Sequence, residues 1–378
     1  MLPSKLNIEK IQSIDVFSAL GREWGALLSL SNESTFFLKW DWMFTWWEHF
    51  GSKEGLFILL IKKPSGELLG IAPFYINTKW QGLPIKALSY IGSDPISSEY
   101  LDIICTYENQ KKISTIIANE IIQSYQGKIE ITFNHYLPNS TVQLLIEQLK
   151  TAYWQKTSLS GIRHFAKLPP QKSDFEQQCD KSLLKRLLRH KRKLMNTLQG
   201  DFIHFNQAKN VDEGLHILTE LHIKRWTEQG KPGAFVSDKF KRFHQQFCHR
   251  AAEKNWLQLW VLKSGDIAVA AIYAIEFNNS CYFYQSGINT QFKPNLSPCF
   301  LSHFLLMEKC IDKNIAVYDF MKSKSKTSYK TNLSNASCNM YHTTLLNKSC
   351  LNLIEMLKFV LIKKLKSLTQ WIKPKGFK

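Results

Sequence analysis

The residues with the clearest chemical potential lie between 281 and 330. Cys281-Tyr282-Phe283-Tyr284-Gln285-Ser286 is rich in aromatics and follows a tight turn, so it begins a strand. A loop over 287–297 with Gly, Asn, Thr and Pro comes next. Ser297-Pro298 then starts a helix: Ser caps it, and Pro sits in the first turn, where its missing N–H costs nothing. The helix runs to about 312, a strand follows over 315–320, and 321–330 is a loop with four Lys and no acid. In that order the free N–H groups of the first helical turn and the helix dipole face the loop. A phosphate, pyrophosphate or carboxylate fits there. An ordinary β-α-β crossover whose helix end meets only water has the same pattern.

Charge is concentrated rather than spread. Residues 181–193 hold seven Lys/Arg and no acid, 322–330 hold four Lys and no acid, and 341–378 hold eight Lys against one Glu. These three patches account for the whole net charge of +18, so the remainder is neutral. Local patches imply particular anionic contacts, with solvated faces and a solvated tail as the plainer explanation.

With 378 residues, 44% hydrophobic and 13% aromatic, the chain has the size for two domains and a substantial core. No apolar run approaches the roughly 20 residues of a membrane span. The first 17 residues mix charged and apolar positions and give no secretory signal. Eight Cys are scattered singly, without C-x-x-C or a Cys/His pair at zinc spacing. Reduced core thiols in a cytoplasmic protein, and no metal site, are expected. His244 and His249 lack a Glu at metalloprotease spacing and are expected to be surface or core residues.

Positioning the 281–330 stretch are elements that occur twice. A helix over 35–51, capped by Ser34 or Thr35 and ended by Gly51, places Phe36, Trp40, Met43, Trp47 and Phe50 on one apolar side. A hairpin over 56–76, a strand over 83–92, a polar loop over 93–100, a helix over 111–124 and a strand over 128–133 follow. The second half repeats this with a helix over 212–228, a hairpin over 257–277, a strand over 281–286, the 287–297 loop, a helix over 298–312 and a strand over 315–320. The duplication rests on element order, since residue identity is weak. It predicts two similar α/β domains, at 1–168 and 173–346, joined by Leu168-Pro169-Pro170-Gln171-Lys172. An amphipathic basic helix over 181–199 opens the second. A strand over 341–346 closes it, and 347–378 is a basic tail with an amphipathic helix over 349–372. That helix suits packing on the body or an anionic membrane surface.

Several segments resemble a known family. Leu221-His222, Arg225-Trp226, Gly230, Pro232-Gly233 and Phe235 are similar to the L-H-x-x-R-W…G-x-P-G-x-F segment of GNAT-type acyltransferases of the FemAB-related, cellulose-biosynthesis (CelD-like) branch. Tyr282 to Gly287, Leu296-Ser297-Pro298, Tyr318-Asp319-Phe320 and Tyr329-Lys330 resemble its later blocks, and 37–51 and 69–73 its N-terminal ones. The likeness spans roughly 35–345, and the basic helix resembles the family's K-x-x-R helix. Two features depart from the pattern: Gly287 is the only glycine before Pro294 in the expected pyrophosphate loop, and the stretch between Phe320 and Tyr329 has none.

The resemblance implies an α/β (α+β) fold of two tandem GNAT-like domains, mixed sheets flanked by helices, and acyl transfer from a thioester, acetyl-CoA or another acyl-CoA, to an amine. The first domain is then a degenerate acceptor side. The acceptor is a small molecule, a sugar or an envelope-polysaccharide precursor. The implied catalytic residues are Tyr284 and Tyr329, as acids for the leaving thiolate, and Asp319, which orients or deprotonates the amine or only pairs with Lys330. Gln285, Ser286, Gly287, Ser297 and Lys330 line the donor site, Gln285 also being placed to position the acceptor, and Lys293 or Lys324 stands near a phosphate. Direct transfer also requires a polarised carbonyl, and backbone N–H groups of strand 281–286 are the candidates. A Fem-like aminoacyl-tRNA donor is the alternative, since the basic patches suit RNA. A non-catalytic module for anionic glycan or lipid is a third. The location implied is cytoplasmic, with the tail helix as a contact to the inner membrane face.

Overall fold

Uninterrupted apolar runs such as Leu56-Phe57-Ile58-Leu59-Leu60-Ile61 make strands buried on both faces, and helices must cover them. The computed structural model describes residues 6–31, 34–52, 55–78, 86–126, 129–292, 294–324, 328–348, 361 and 363. The first half contains β1 (Asn7–Ile11), α1 (Ile14–Ala19), α2 (Gly21–Leu30), α3 (Trp40–Phe50), β2 (Leu56–Lys62), β3 (Leu68–Asn77), β4 (Ala87–Tyr90), β5 (Ile104–Cys105), α4 (Gln110–Tyr125), β6 (Glu130–Tyr136), α5 (Thr141–Leu149) and β7 (Tyr153–Lys167). The second contains α6 (Lys172–Gln178), α7 (Lys181–Arg192), β8 (Gly200–His204), α8 (Val211–Glu228), α9 (Asp238–Glu253), β9 (Leu257–Ser264), β10 (Ile267–Phe277), β11 (Ser280–Ile288), α10 (Pro298–Asp312), β12 (Val317–Ser323) and β13 (Ala336–Asn347).

The two sheets expected are one mixed sheet in the order β1-β2-β3-β4-β6-β13-β7-β12-β11-β10-β9-β8, with β5 beside β3. The order is symmetric about its centre, as a duplicated element series requires. At that centre the halves exchange strands. β13 pairs with β6 of the first half, β7 pairs with β12 of the second, and β7 and β13 pair with each other from Ala336↔Phe165 to Asn347↔Tyr153. The two parallel neighbours are β4·β6 and β11·β12, and each is short.

Helices also join the halves. α3 is buried nearly all round, because it packs against both the sheet and α9. The Trp42 ring meets Phe243 and Phe247 of α9 edge-on at 4.9 and 4.7 Å. Each such fully buried aromatic contributes roughly 1.5–3 kcal/mol by apolar burial. By position ahead of its hairpin, α9 rather than α8 is the counterpart of α3.

Several element boundaries differ from expectation. The 35–51 helix divides into a 3₁₀ turn, Phe36–Leu38, and α3, because Lys39 is extended (φ −68°, ψ 142°); neither Ser34 nor Thr35 caps α3. The 181–199 helix ends at Arg192 and passes into a π-helical turn, Lys193–Thr197. The expected linker is packed, Leu168 N donating to Ala316 O at 2.8 Å. β7, α6 and the first residues of β13 were not expected as elements. The 349–372 helix lies outside the described residues apart from 361 and 363. No described helix is long and apolar enough to cross a membrane.

Candidate active site

β11 and β12 begin side by side and then separate. Their parallel pairing covers only Ser280↔Val317, Cys281↔Tyr318 and Tyr282↔Asp319. Beyond that, β11 stays with β10 to Ile288, while β12 stays with β7 to Ser323. β12 also bulges between Asp319 and Met321, and Met321 takes a left-handed φ of 60°. Tyr100 (φ 59°) and His135 (φ 54°), from the first half, share this uncommon conformation around the same wedge. Backbone held this way by residues other than glycine is concentrated at functional sites.

The first half supplies the wall opposite β11. Glu99, 5% exposed, accepts a hydrogen bond from Lys322 N through Oε2 at 2.8 Å. Asp319, 0% exposed, accepts from Arg163 Nε at 2.7 Å, Met321 N at 2.7 Å and the Tyr100 hydroxyl at 3.2 Å. The Arg163 guanidinium lies over the Tyr100 and Phe165 rings at 4.9 and 4.8 Å. Lys322 Nζ is 2.6 Å from His135 Nε2. Burial raises the Glu99 carboxyl to about 7 against the pull of Lys322 and Lys330. Burial raises Asp319 as well, opposed chiefly by Arg163. The His135 imidazole is lowered to about 4 by burial and by Lys322. A protonatable carboxylate and two lysines thus meet beside a diverging strand pair, an arrangement suited to moving a proton near neutral pH.

At the outer end of the wedge stands α10. Arg186 of α7 lies over the ring of Phe300, in the first turn, at 5.9 Å. Burial raises the thiol of Cys299 and the hydroxyl of Tyr329, and Arg225 of α8 is close enough to oppose both shifts electrostatically. Two guanidinium groups and a helix N-terminus converge there.

Residues 181–331 match the acetyltransferase (GNAT) domain family. The matched stretch runs from the start of α7, through the wedge, to the turn after β12. No curated protein matches the sequence. Among solved structures, FemX is similar with a TM-score of 0.61 at 11% identity, over 85% of this chain and 95% of that one. The C-terminal domain (DUF2156) of a putative lysylphosphatidylglycerol synthetase from Agrobacterium fabrum is similar at 0.54 and 10%, over 91% and 97%. L-PGS from Bacillus licheniformis gives 0.54 and 11%, over 90% and 96%. These likenesses concern the fold: a large mixed sheet flanked by helices.

Within the matched stretch the expected site residues divide into two groups. Tyr329, Lys330 and Ser297 stand at the wedge and its mouth. The Tyr329 ring packs against Phe300 and His303, both at 6.0 Å, and burial raises its hydroxyl. Lys330 Nζ reaches two β12 carbonyls beyond the last pair with β11, Phe320 O at 2.5 Å and Lys322 O at 2.7 Å. It therefore does not pair with Asp319, whose partner is Arg163. Burial lowers the Lys330 ammonium. Ser297 precedes α10 in a left-handed conformation (φ 47°, ψ 58°), and its side chain makes no cap hydrogen bond. Its expected capping role is overturned, while Pro298 does occupy the first turn.

Tyr284, Gln285, Ser286 and Gly287 follow β11 away from Tyr329. The Tyr284 hydroxyl donates to Ile96 O of the first half, and its ring lies among Trp42, His244 and Tyr273. Gln285 Oε1 accepts from Ser286 N. Gly287 meets α8: an added Cβ would sit 2.6 Å from Leu221 Cβ and 2.9 Å from both His222 N and Leu218 O. Its glycine is required by helix packing. Lys324 is exposed, and Lys293 lies outside the described residues.

Glu99, Tyr100, His135, Arg163, Lys322 and His303 were not singled out from sequence. Glu99 and Tyr100 end a polar loop that gives no hint of burial. Arg163 lies on the unexpected β7. His303 falls inside an otherwise ordinary apolar helix. Among the described residues no group of three or more His, Cys, Asp or Glu could hold a metal ion.

Proposed function

We propose that this chain transfers an acyl group, acetyl foremost, from acyl-CoA to an amine of a small molecule, sugar or envelope-polysaccharide precursor, as the CelD-like branch of GNAT-type enzymes does. Residues 173–346 then form the donor side, 1–168 the acceptor side, and the 347–378 tail a contact for an anionic membrane surface. The observation that carries the proposal is the parting of β11 and β12 after Tyr282/Asp319, with the N-terminus of α10, Arg186 and Arg225 at its mouth. A pantetheine arm fits between diverging strands, and its diphosphate fits the cationic helix end. β11 N–H groups no longer paired across the wedge polarise the thioester carbonyl.

In the proposed reaction the amine nitrogen attacks that carbonyl carbon and its proton passes to Glu99. The C–S bond then breaks, and the thiolate takes a proton from Tyr329, which solvent restores. Asp319, held by three donors, positions the β12 bulge. Tyr284, whose hydroxyl is engaged by Ile96 O, positions the loop that carries Glu99. Gln285, Ser286 and Gly287 line β11, and Lys330 keeps the β12 edge open to the donor.

A Fem-like aminoacyl-tRNA donor is the second reading. It is favoured by the outer face of α7, where Lys181, Lys185, Arg186, Arg189 and Arg192 are all exposed. Calorimetry separates the two. Heat with acetyl-CoA, and none with deacylated tRNA, is expected. Silence with CoA esters at millimolar concentration refutes the CoA donor, and tRNA binding that weakens steeply with salt establishes the second.

A further inference from the structure

His303 lies one and a half turns into α10, directly beneath the wedge. Its ring packs edge-on to Phe283 of β11 at 4.5 Å, and lies 5.1 Å from Phe320 of β12 and 6.0 Å from Tyr329. It is 1% exposed. Nδ1 is 2.8 Å from the Tyr318 hydroxyl, and Nε2 has no partner. Tyr318 is itself 0% exposed, and its hydroxyl makes no other hydrogen bond among the described residues. If Nδ1 carried the imidazole proton, the buried Tyr318 O–H would have no acceptor. The consistent arrangement has Tyr318 donating to Nδ1 and the proton on Nε2. Burial and the nearby Lys330 ammonium hold the imidazole neutral, its pKa lowered to about 3. The floor of the wedge therefore carries an N–H donor without an acceptor, and leaving a buried donor unpaired is costly. Among the buried histidines with a ring nitrogen unpartnered, His303 is the one set against both Phe283 of β11 and Phe320 of β12.

We infer that His303 touches the acyl donor, its Nε2–H donating to a carbonyl oxygen of the arm that enters between β11 and β12. This rests on the acyl-CoA donor proposed above. Two carbonyls of the donor offer the same chemistry, an amide of the pantetheine arm and the thioester itself. Tyr318 is a positioning residue, since it acts by fixing the imidazole tautomer.

The test uses full-length protein labelled with ¹⁵N-histidine. His303 is assigned by comparison with His303→Gln, and CoA and acetyl-CoA are titrated separately, with calorimetry in parallel. A shift of the His303 Nε2 resonance is expected on saturation. The same shift with both ligands assigns the pantetheine amide; a shift with acetyl-CoA alone assigns the thioester. His303→Phe, which removes the donor, should weaken binding about five- to tenfold. His303→Gln, which keeps an N–H donor, should recover most of it. Tyr318→Phe keeps the imidazole and should redistribute its tautomers, giving a readout if His303→Phe fails to fold. Heat of acetyl-CoA binding with unmoved His303 resonances overturns the His303 role and leaves the CoA donor intact. Absence of heat in the wild-type protein overturns the CoA donor, and this role with it.

Discussion

Glu99→Gln should uncouple folding stability from pH in a specific direction. The Glu99 carboxyl has an ordinary pKa of 4.5, raised to about 7 in the folded protein mainly by burial. A group whose folded pKa lies above its unfolded one contributes stability that is complete below the unfolded value. That stability is lost as pH rises through the folded value. The wild-type protein therefore loses about 3 kcal/mol at this site between pH 4.5 and pH 7.5. Gln mimics the neutral acid, can still accept from Lys322 N, and does not titrate. The stability of Glu99→Gln minus that of wild type should thus grow by about 3 kcal/mol across the window. His135 works in the opposite sense. Its pKa falls from 6.5 to about 4, so its contribution is present above pH 6.5 and is lost as pH falls toward 4. Burial lowers His204, His222, His244 and His303 in the same sense, so the wild-type profile alone mixes many groups, and the difference between the proteins isolates Glu99. Urea unfolding followed by tryptophan fluorescence at pH 4.5, 5.5, 6.5 and 7.5 provides the measurement. A difference that stays constant from pH 4.5 to 7.5 refutes the burial argument and the proposal of Glu99 as a base poised near neutrality.

Two further substitutions test the packing around the wedge. Arg163→Met leaves the fully buried Asp319 without its counter-charge and should cost roughly 3–5 kcal/mol at pH 7; the loss should shrink in acid, where Asp319 protonates, and equal losses at pH 5 and pH 8 refute the pairing. Gly287→Ala places a methyl group against the backbone of α8 and should cost roughly 1–3 kcal/mol in thermal or urea unfolding; unchanged stability with weakened CoA binding would instead assign the glycine to a phosphate.

The parts of the fold legible in the sequence are those with strong local signals. The hairpins β2–β3 and β9–β10 are apolar runs broken by turn residues, and α10 begins where Pro298 permits a helix and little else. β7 gives no such signal. Although it lies at the middle of the sheet, Trp154 and Leu159 are exposed along its length, and polar residues separate its apolar ones. Its place is fixed by pairing with β12 and β13, partners distant in sequence, from Val317↔Lys167 to Asn347↔Tyr153. Missing β7 hides Arg163, and without Arg163 the natural partner for Asp319 is Lys330. Ser297 misleads for a different reason. The residue before a proline is steered away from the right-handed helical region, and here it adopts the left-handed one, so its hydroxyl cannot cap. Glu99 is illegible because a polar loop predicts exposure, and only the folded second half buries it.

The exchanged strands explain why the site needs both halves. β12 has β11 on one side only as far as Asp319, so past that point its single antiparallel neighbour is β7, contributed by the first half. β7 also brings Arg163 to the buried Asp319, and the 93–100 loop brings Glu99 to the N–H of Lys322. A β12 edge left open toward β11 would otherwise be free to shift register or close on its neighbour. Here it is pinned from behind by a strand of the other half and from below by Lys330 on the Phe320 and Lys322 carbonyls. The wedge can therefore stay parted without a ligand, so the proposed donor would bind without spending free energy on separating the strands. The duplicated β4·β6 pair parts after only Leu88↔Ile131, but what faces it, β13, carries Thr343 hydrogen-bonded to Tyr136 and Thr157 instead of an arginine–carboxylate pair. The ionic groups are thus gathered at one of two similar wedges, the second, which supports placing the proposed donor site there.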